Sequence, residues 1–338
     1  MYSFFRPLLF KLDPETAHHL TLQLIRLAGI FPPSRRLLQE IYKAPEHPVD
    51  VFGLHFSNPI GLAAGYDKDG IALPGLATLG FGHIEIGTVT LHPQPGNPKP
   101  RVFRLVEDQA VINRMGFPGQ GADQMEKQLK KKRPKNLIVG VNIGKNKDTP
   151  LEEAASDYVP LLRRFMPLAD YLAINVSSPN TVGLRHLQGR EMLEALLTVI
   201  AREREKLASL DGSQTPILVK LAPDLAEQEL DDALEAILRT GMDGVIVTNT
   251  TLARDRLRSK YGDETGGLSG APLRGRSEAI LRSVILKTNG HLPVVSTGGI
   301  MGPTDALVRL NAGAALVQVY TGLVYTGPGL IKQIVSKL

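Results

Sequence analysis

Short apolar runs alternate with longer amphipathic stretches over most of the chain, and the alternation sets in near residue 45. Eight of the runs are β-branched or aliphatic and of strand length: 60–64, 84–89, 138–143, 171–176, 217–221, 245–248, 294–297 and 316–320. Runs apolar on both faces suit a parallel sheet covered on both sides. The stretches between most of them, such as 191–210 and 226–240, carry helical periodicity. This rhythm predicts the α/β class and a closed (β/α)8 TIM barrel. Two inserts interrupt it. Residues 49–57 alternate as a short hairpin ahead of the first strand, placed to cap the barrel floor. Residues 92–118 follow the second strand, are rich in Pro and Gly, and hold a β-like piece at 101–106. An insert after a barrel strand lies over the mouth where barrel enzymes work.

Before residue 45 the pattern is helical and contains no strand, which divides the chain into an N-terminal helical extension (1–45) and a barrel (46–338). Asp13-Pro14 reads as an N-cap followed by Pro at the first helical position. On a helical wheel Ala17, Leu20, Leu24, Ile25, Leu27 and Ala28 share one face, with His19, Gln23 and Arg26 opposite and His18 at the edge of the apolar arc. A second helix over 34–42 presents Leu37, Leu38, Ile41 and Tyr42. Residues 1–45 hold six Lys/Arg and three Asp/Glu. A basic, amphipathic helix pair too short to span a bilayer fits an interfacial segment; a helical cap packed on the barrel fits the same pattern. No window reaches the roughly 18 unbroken apolar residues of a membrane span. The opening apolar stretch is interrupted by Arg6 and Pro7 and lacks a small-residue cleavage site, so neither a secretory signal nor a transit peptide is expected.

Composition narrows the chemistry. At 43% hydrophobic and 22% charged, the 338 residues have an ordinary globular balance. There is no Cys, which excludes disulfides, thiolate zinc sites, iron–sulfur clusters and a thiol nucleophile. The net charge of +5 does not by itself indicate nucleic acid. The run Lys130, Lys131, Lys132, Arg133, Lys135 reads as a solvated helix end broken by Pro134, since no aromatic platform accompanies it.

In a barrel, function sits at the strand C-termini. Here those ends are rich in amides, hydroxyls and lysines and poor in His, and no Asp/Glu/His cluster has metal spacing, so no metal is expected. Such a lining suits a planar, anionic, amide-bearing ligand. Gly298-Gly299 after the seventh run and Tyr320-Thr321-Gly322 after the eighth sit where barrels bind phosphate. No Gly-x-Gly-x-x-Gly follows a strand, so a Rossmann dinucleotide site is not indicated.

Five motifs carry a family resemblance: Gly65-Tyr-Asp-Lys68-Asp-Gly70, Ile112-Asn113-Arg114-Met115-Gly116-Phe117, Asn175-Val-Ser-Ser-Pro-Asn180-Thr181, Asn249-Thr250-Thr251 and Gly266-Gly267-Leu268-Ser269-Gly270. Together, in order and over nearly the whole chain, they resemble the dihydroorotate dehydrogenases. One class of that family uses a Cys base; the membrane-associated class uses Ser, and this chain has Ser178 in the motif and no Cys.

The resemblance implies FMN and the oxidation of dihydroorotate to orotate, a step of pyrimidine biosynthesis, with a membrane quinone as final acceptor. It implies that Lys68, Asn113, Phe117, Asn175, Asn180, Asn249 and Thr250 surround the substrate. Ala64, Gly65, Thr88, Asn142, Asn175, Lys220, Thr248, Gly270, Gly299, Tyr320 and Thr321 would hold FMN, with Lys220 beside the flavin pyrimidine. Ser178 would take the C5 proton while hydride leaves C6 for the flavin, with Thr181 as relay partner and Phe117 excluding water. A free serine is a poor base and needs such a closed site. The extension would form the quinone tunnel, with His18 and Arg104 near the quinone head. Peripheral contact with an anionic membrane on the cytoplasmic side would follow, without a nucleic-acid partner. Tyr66 departs from the Phe or Leu usual in the family. The rivals are other FMN barrels, phosphate-binding lyases or isomerases, and an inactive membrane-binding module. Hydroxy-acid oxidases need a His base that these strand ends lack, and dihydrouridine synthases need a Cys acid.

Overall fold

A computed structural model describes residues 2–131, 133–134, 137–212 and 214–338. Lys132 and Lys135 of the basic run lie outside the described residues. Three helices lead: α1 (Tyr2–Lys11), α2 (Pro14–Ile30) and α3 (Pro32–Tyr42). A hairpin of β1 (Val49–Val51) and β2 (Leu54–Phe56) follows. Next come β3 (Ile60–Leu62), α4 (Leu73–Leu76), β4 (His83–Val89), β5 (Val102–Leu105), β6 (Ala110–Asn113), α5 (Gly121–Leu129), β7 (Ile138–Ile143), α6 (Ala155–Phe165) and β8 (Tyr171–Asn175). The chain continues through α7 (Arg190–Asp211), β9 (Ile217–Leu221), α8 (Glu227–Arg239), β10 (Gly244–Val247), β11 (Gly267–Gly270) and α9 (Arg274–Lys287). It ends with β12 (Val294–Thr297), α10 (Pro303–Asn311), β13 (Leu316–Val319), α11 (Thr321–Thr326) and α12 (Leu330–Val335).

Eight parallel strands, β3, β4, β7, β8, β9, β10, β12 and β13, close a barrel, with Val317 of β13 paired to Ile60 of β3 at the seam. These are the eight runs read from the sequence. Every residue of β4 is buried, as parallel strands with helices outside and packed side chains inside require. The β1–β2 hairpin closes the floor: Phe56 is fully buried among Tyr171, Ala173, Leu218, Ile246, Val295 and Leu316, which point down the barrel. The long insert after β4 folds as β5–β6, and β11, from the segment after β10, joins it as a third antiparallel strand. Two inserts from opposite sides of the barrel therefore share one small sheet over the mouth.

The N-terminal segment holds one more helix than its sequence pattern indicates. α1 forms despite Pro7 because it is docked: the Tyr2 hydroxyl donates to the Val324 carbonyl (2.5 Å), Arg6 to the Tyr325 carbonyl (3.0 Å), and Phe10 meets Tyr325 edge-to-face. α2 begins where expected, with the Asp13 carboxylate accepting from Thr16 N–H at 3.0 Å. α2 crosses α4 so closely that a Cβ on Gly29 would stand 2.2 Å from Gly75 N, so only glycine fits. Its inward face is Ala17, Leu22, Ile25 and Gly29, while Leu20 and Leu27 are exposed at 45% and 61%, and Leu24, 55% exposed, borders the cavity described below. The wheel thus merges two faces: Leu22, absent from the expected stripe, is buried, and the most hydrophobic part of that stripe is exposed. Lys130, beyond the end of α5, pairs with Glu126, and Arg133 with Asp170, as a solvated helix end does.

Candidate active site

A cavity of about 530 Å³ runs from the strand C-termini to the inner faces of α1 and α2. Its lining joins Asn175, Ser178, Asn249 and Lys220 of the barrel to Tyr2, His18, Thr21 and Ile25 of the N-terminal helices. Strand ends and extension therefore share one chamber with two arms.

Below the barrel arm sits a carboxylate that the sequence reading passed over. Glu85, central in β4, is fully buried. It accepts from Asn142 Nδ2 (2.8 Å), Gln318 Nε2 (2.9 Å) and the Tyr171 hydroxyl (3.0 Å), and the Lys220 ammonium stands 3.8 Å away. These partners come from β7, β13, β8 and β9. Contact with Glu85 raises the Tyr171 phenol well above its ordinary range, after the larger effect of burial. The signal was legible: a lone acid amid Ile84, Ile86 and Val89 in a run buried on both faces must have a function or partners.

The network continues upward. Thr88 Oγ1 donates to Asn142 Oδ1 (2.6 Å), and Asn175 Nδ2 donates to both Thr88 Oγ1 (2.9 Å) and Asn142 Oδ1 (3.0 Å). Asn249 Nδ2 reaches Ser177 Oγ (3.0 Å) and Asn175 Oδ1 (3.3 Å). Across the chamber Asn180 Nδ2 donates to Asn113 Oδ1 (3.1 Å). Amides held this way present fixed donor and acceptor atoms to a planar ligand.

Ser178 lines the chamber, buried, and its Oγ accepts from Asn180 N–H at 3.2 Å. Phe117 lines it too, held with Gly116 in the left-handed region (φ 51° and 69°), a conformation a bulky residue adopts only under constraint. Thr181 lies behind the wall: its buried Oγ1 has no hydrogen-bond partner among the described residues, so no relay bond joins it to Ser178 here. Two further residues brace the site. Arg185 donates to the Ser177 carbonyl (3.1 Å) and the Thr250 carbonyl (2.7 Å) and pairs with Asp224 (2.8 Å), while Asp224 accepts from Leu252 N–H (3.0 Å). The loops after β8, β9 and β10 are thereby tied together.

Lys68 lines the chamber, its ammonium donating to the Gly65 carbonyl at 2.6 Å, and burial pulls it down to about 8. Asn113, Asn180, Asn249 and Thr250 line it, as do Ala64, Gly65, Thr88, Thr248, Gly270, Gly299, Tyr320 and Thr321. Asn142 stands one layer back, beneath Thr88 and Asn175.

The second arm is lined by apolar side chains with few polar groups. His18 meets the Tyr66 ring edge-to-face at 5.0 Å, and Tyr66 meets Tyr320 at 5.6 Å, a row leading from α2 to the strand ends. Burial, then the Lys68 charge, lowers His18 to about 3, so its ring is neutral. Arg104 lies over Phe10 at 4.2 Å and donates to the Phe10 carbonyl at 3.2 Å. The arm's floor is pinned by Glu15, paired with Arg101 at 2.7 Å between α2 and the insert.

A (β/α)8 barrel with a polar, lysine-bearing chamber at its mouth and an apolar arm beside it defines an enzyme that meets one polar and one apolar ligand. A family model for dihydroorotate dehydrogenase matches residues 47–338. A dihydroorotate dehydrogenase (quinone) of Burkholderia thailandensis is 47% identical, covering 100% of this chain and 97% of that protein. One of Roseiflexus sp. is 48% identical, covering 99% and 92%. Among solved structures, the dihydroorotate dehydrogenase of Eimeria tenella in complex with ferulenol superposes with a TM-score of 0.87 at 40% identity, over 96% of this chain and 90% of that one. This chain belongs to the dihydroorotate dehydrogenase family, a family of flavoenzymes.

Removing the buried acid tests the network. Glu85→Ala strands four polar groups and should lower stability by about 3–5 kcal/mol, read from the denaturant midpoint. An unchanged midpoint would show that Glu85 organises nothing.

Proposed function

We propose that this protein oxidises dihydroorotate to orotate in pyrimidine biosynthesis, with FMN as its flavin and a membrane quinone as final acceptor. The observation that carries the reading is the single chamber with two chemically different arms. The full-length relatives named dihydroorotate dehydrogenase (quinone) support it.

The residues fit FMN. Gly298 and Gly299 form a turn in the left-handed region (φ 104° and 76°), where a Cβ on Gly299 would stand 2.3 Å from Arg274 Cα. The turn thus packs directly on the backbone at the start of α9, and its own backbone, which lines the chamber with Thr321, is what it offers a phosphate. Lys220 lies buried at the chamber floor, and Ala64, Gly65 and Gly270 leave flat wall for a ring. When bound, the flavin supplies a two-electron acceptor between the arms. Thr88, Asn142, Thr248 and Tyr320 complete that group.

Lys68 offers the cation for the substrate carboxylate, and Asn113, Asn175, Asn180, Asn249 and Thr250 pair with the ring amides. Ser178 takes the C5 proton, and Phe117 keeps water out. Thr181 serves as relay only after a small shift or through a bridging water, because its hydroxyl has no partner here.

Residues 1–45 are the quinone segment. His18 and Arg104 are among the polar groups of the apolar arm, and residues 2–42 expose Phe4, Leu8, Leu20, Leu24, Leu27, Phe31 and Leu37. An apolar face of this kind beside basic residues fits the surface of an anionic bilayer. Among the described residues no helix is long and apolar enough to cross a membrane. The protein then sits peripherally on the cytoplasmic face of the cell membrane.

Three outcomes follow. Ser178→Ala should slow anaerobic flavin reduction by dihydroorotate by about 10²–10⁴-fold at neutral pH with flavin still bound; a wild-type rate removes Ser178 as the base. Lys68 carries its charge below about pH 8 and loses it above. Orotate affinity, followed by the flavin spectrum, should be flat at low pH and weaken as pH rises through about 8, and a flat profile to pH 9.5 contradicts the role. Leu20→Glu with Leu24→Glu should abolish binding to anionic vesicles and lower quinone turnover severalfold, while dihydroorotate still reduces the flavin at the normal rate. Unchanged vesicle binding and turnover would make the extension a structural cap only.

A further inference from the structure

Arg309, on α10, is the largest side chain with no solvent exposure. Its Nη2 donates to the Arg274 carbonyl (2.6 Å), to Ser277 Oγ (2.8 Å) and to the Gly298 carbonyl (3.2 Å). Ser277 Oγ in turn donates to the Gly298 carbonyl at 2.7 Å. Nε and Nη1 have no acceptor within hydrogen-bond range among the described residues.

The charge is also unmatched. The two acids that act on Arg309, Glu278 and Asp305, already serve other arginines: Asp305 pairs with Arg274 at 2.8 Å and Glu278 with Arg282 at 2.9 Å. Three arginines thus face two carboxylates, leaving one buried positive charge over. Burial of an uncompensated cation is costly unless an anion compensates it.

The location of the surplus decides its meaning. Gly298, Gly299 and Ile300 line the chamber, and Arg309 stands behind them, outside its wall. The Gly298–Gly299 peptide is trans, so its carbonyl and N–H point to opposite sides. With the carbonyl gripped from behind by Ser277 and Arg309, the Gly299 N–H is turned toward the chamber. We propose that Arg309 is a positioning residue for an anionic ligand group: it fixes the Gly298–Gly299 turn with its N–H forward and supplies the buried positive charge behind it. On the reading that the ligand is FMN, on which this inference rests, that group is the phosphate. The specificity that results is for the phosphorylated flavin over riboflavin, and Arg309 achieves it without touching the ligand.

The test is competition on the holoprotein. The FMN-loaded protein is titrated with riboflavin, and the bound flavins are separated and quantified after ultrafiltration, which gives the ratio of the two affinities. Wild type should prefer FMN strongly. Arg309→Gln keeps a donor for the carbonyls but no charge, and should reduce that preference about tenfold or more. Arg309→Lys should stay nearer wild type. Equal preference in Arg309→Gln and wild type overturns the proposal, and so does an equal loss in the Lys and Gln variants, since charge would then be irrelevant. Should Arg309→Gln not fold, Ser277→Ala carries the test: loosening the Gly298 carbonyl should also reduce the preference, and an unchanged ratio overturns the proposal. A wild-type protein that holds riboflavin as well as FMN contradicts the cofactor reading instead.

Discussion

A carboxylate at the centre of a closed barrel has to find every partner inside the barrel, and Glu85 finds one on each of four strands. A buried charge left partly unpaired would cost several kcal/mol, so the strands that supply Asn142, Tyr171, Gln318 and Lys220 are locked in mutual register. The register has chemical consequences. Asn142 is aimed so that it receives Thr88 and Asn175, Asn175 receives Asn249, and the amide wall of the chamber is the outermost layer of a network anchored on one acid. Lys220 is held under the same chamber as a fixed positive group. Below, Gln318 Nε2 also approaches buried His83 (3.5 Å), whose ring rests edge-to-face on Phe56, and beneath that the floor is apolar.

The second arm is built from outside the barrel and attached by discrete contacts. Gly29 against Gly75 lets α2 lie close on α4, Glu15 with Arg101 ties α2 to the insert, and Tyr2, Arg6 and Phe10 bind α1 to the segment around Val324 and Tyr325. The outward faces of these helices remain apolar and exposed. The row His18, Tyr66, Tyr320 leads from that surface toward the strand ends, with Tyr66 in its middle.

The barrel was readable because each strand is a short apolar run followed by small or polar residues, and nothing in tertiary structure overrides that signal. Barrel chemistry collects at strand ends, so the rhythm pointed to those segments; the family motifs singled out Lys68, Asn175, Ser178 and Asn249 within them, and these four line one chamber. What escaped depended on three-dimensional partners. α1 carries Pro7 and an interrupted apolar pattern, and exists because Tyr2 and Arg6 find carbonyls more than 300 residues away. The α2 stripe was read as one face, whereas Leu22 packs into the core and Leu20 and Leu27 stay exposed. Arg185, Asp224 and Arg309 sit in helices, turns and loops, where a charged residue looks like ordinary surface until its burial is known. The Ser178–Thr181 relay is a claim about distance, which spacing in a motif does not fix.

The central claim is that one chamber serves two partners in turn, a polar ring at the barrel mouth and an apolar acceptor beneath the N-terminal helices. The most direct measurement is dihydroorotate-dependent turnover by the purified protein with a quinone analogue, fumarate or NAD as acceptor. The account predicts orotate formed in step with quinone reduced, and no turnover with fumarate or NAD. Turnover with fumarate or NAD, or flavin that dihydroorotate reduces but quinone cannot reoxidise, would contradict it.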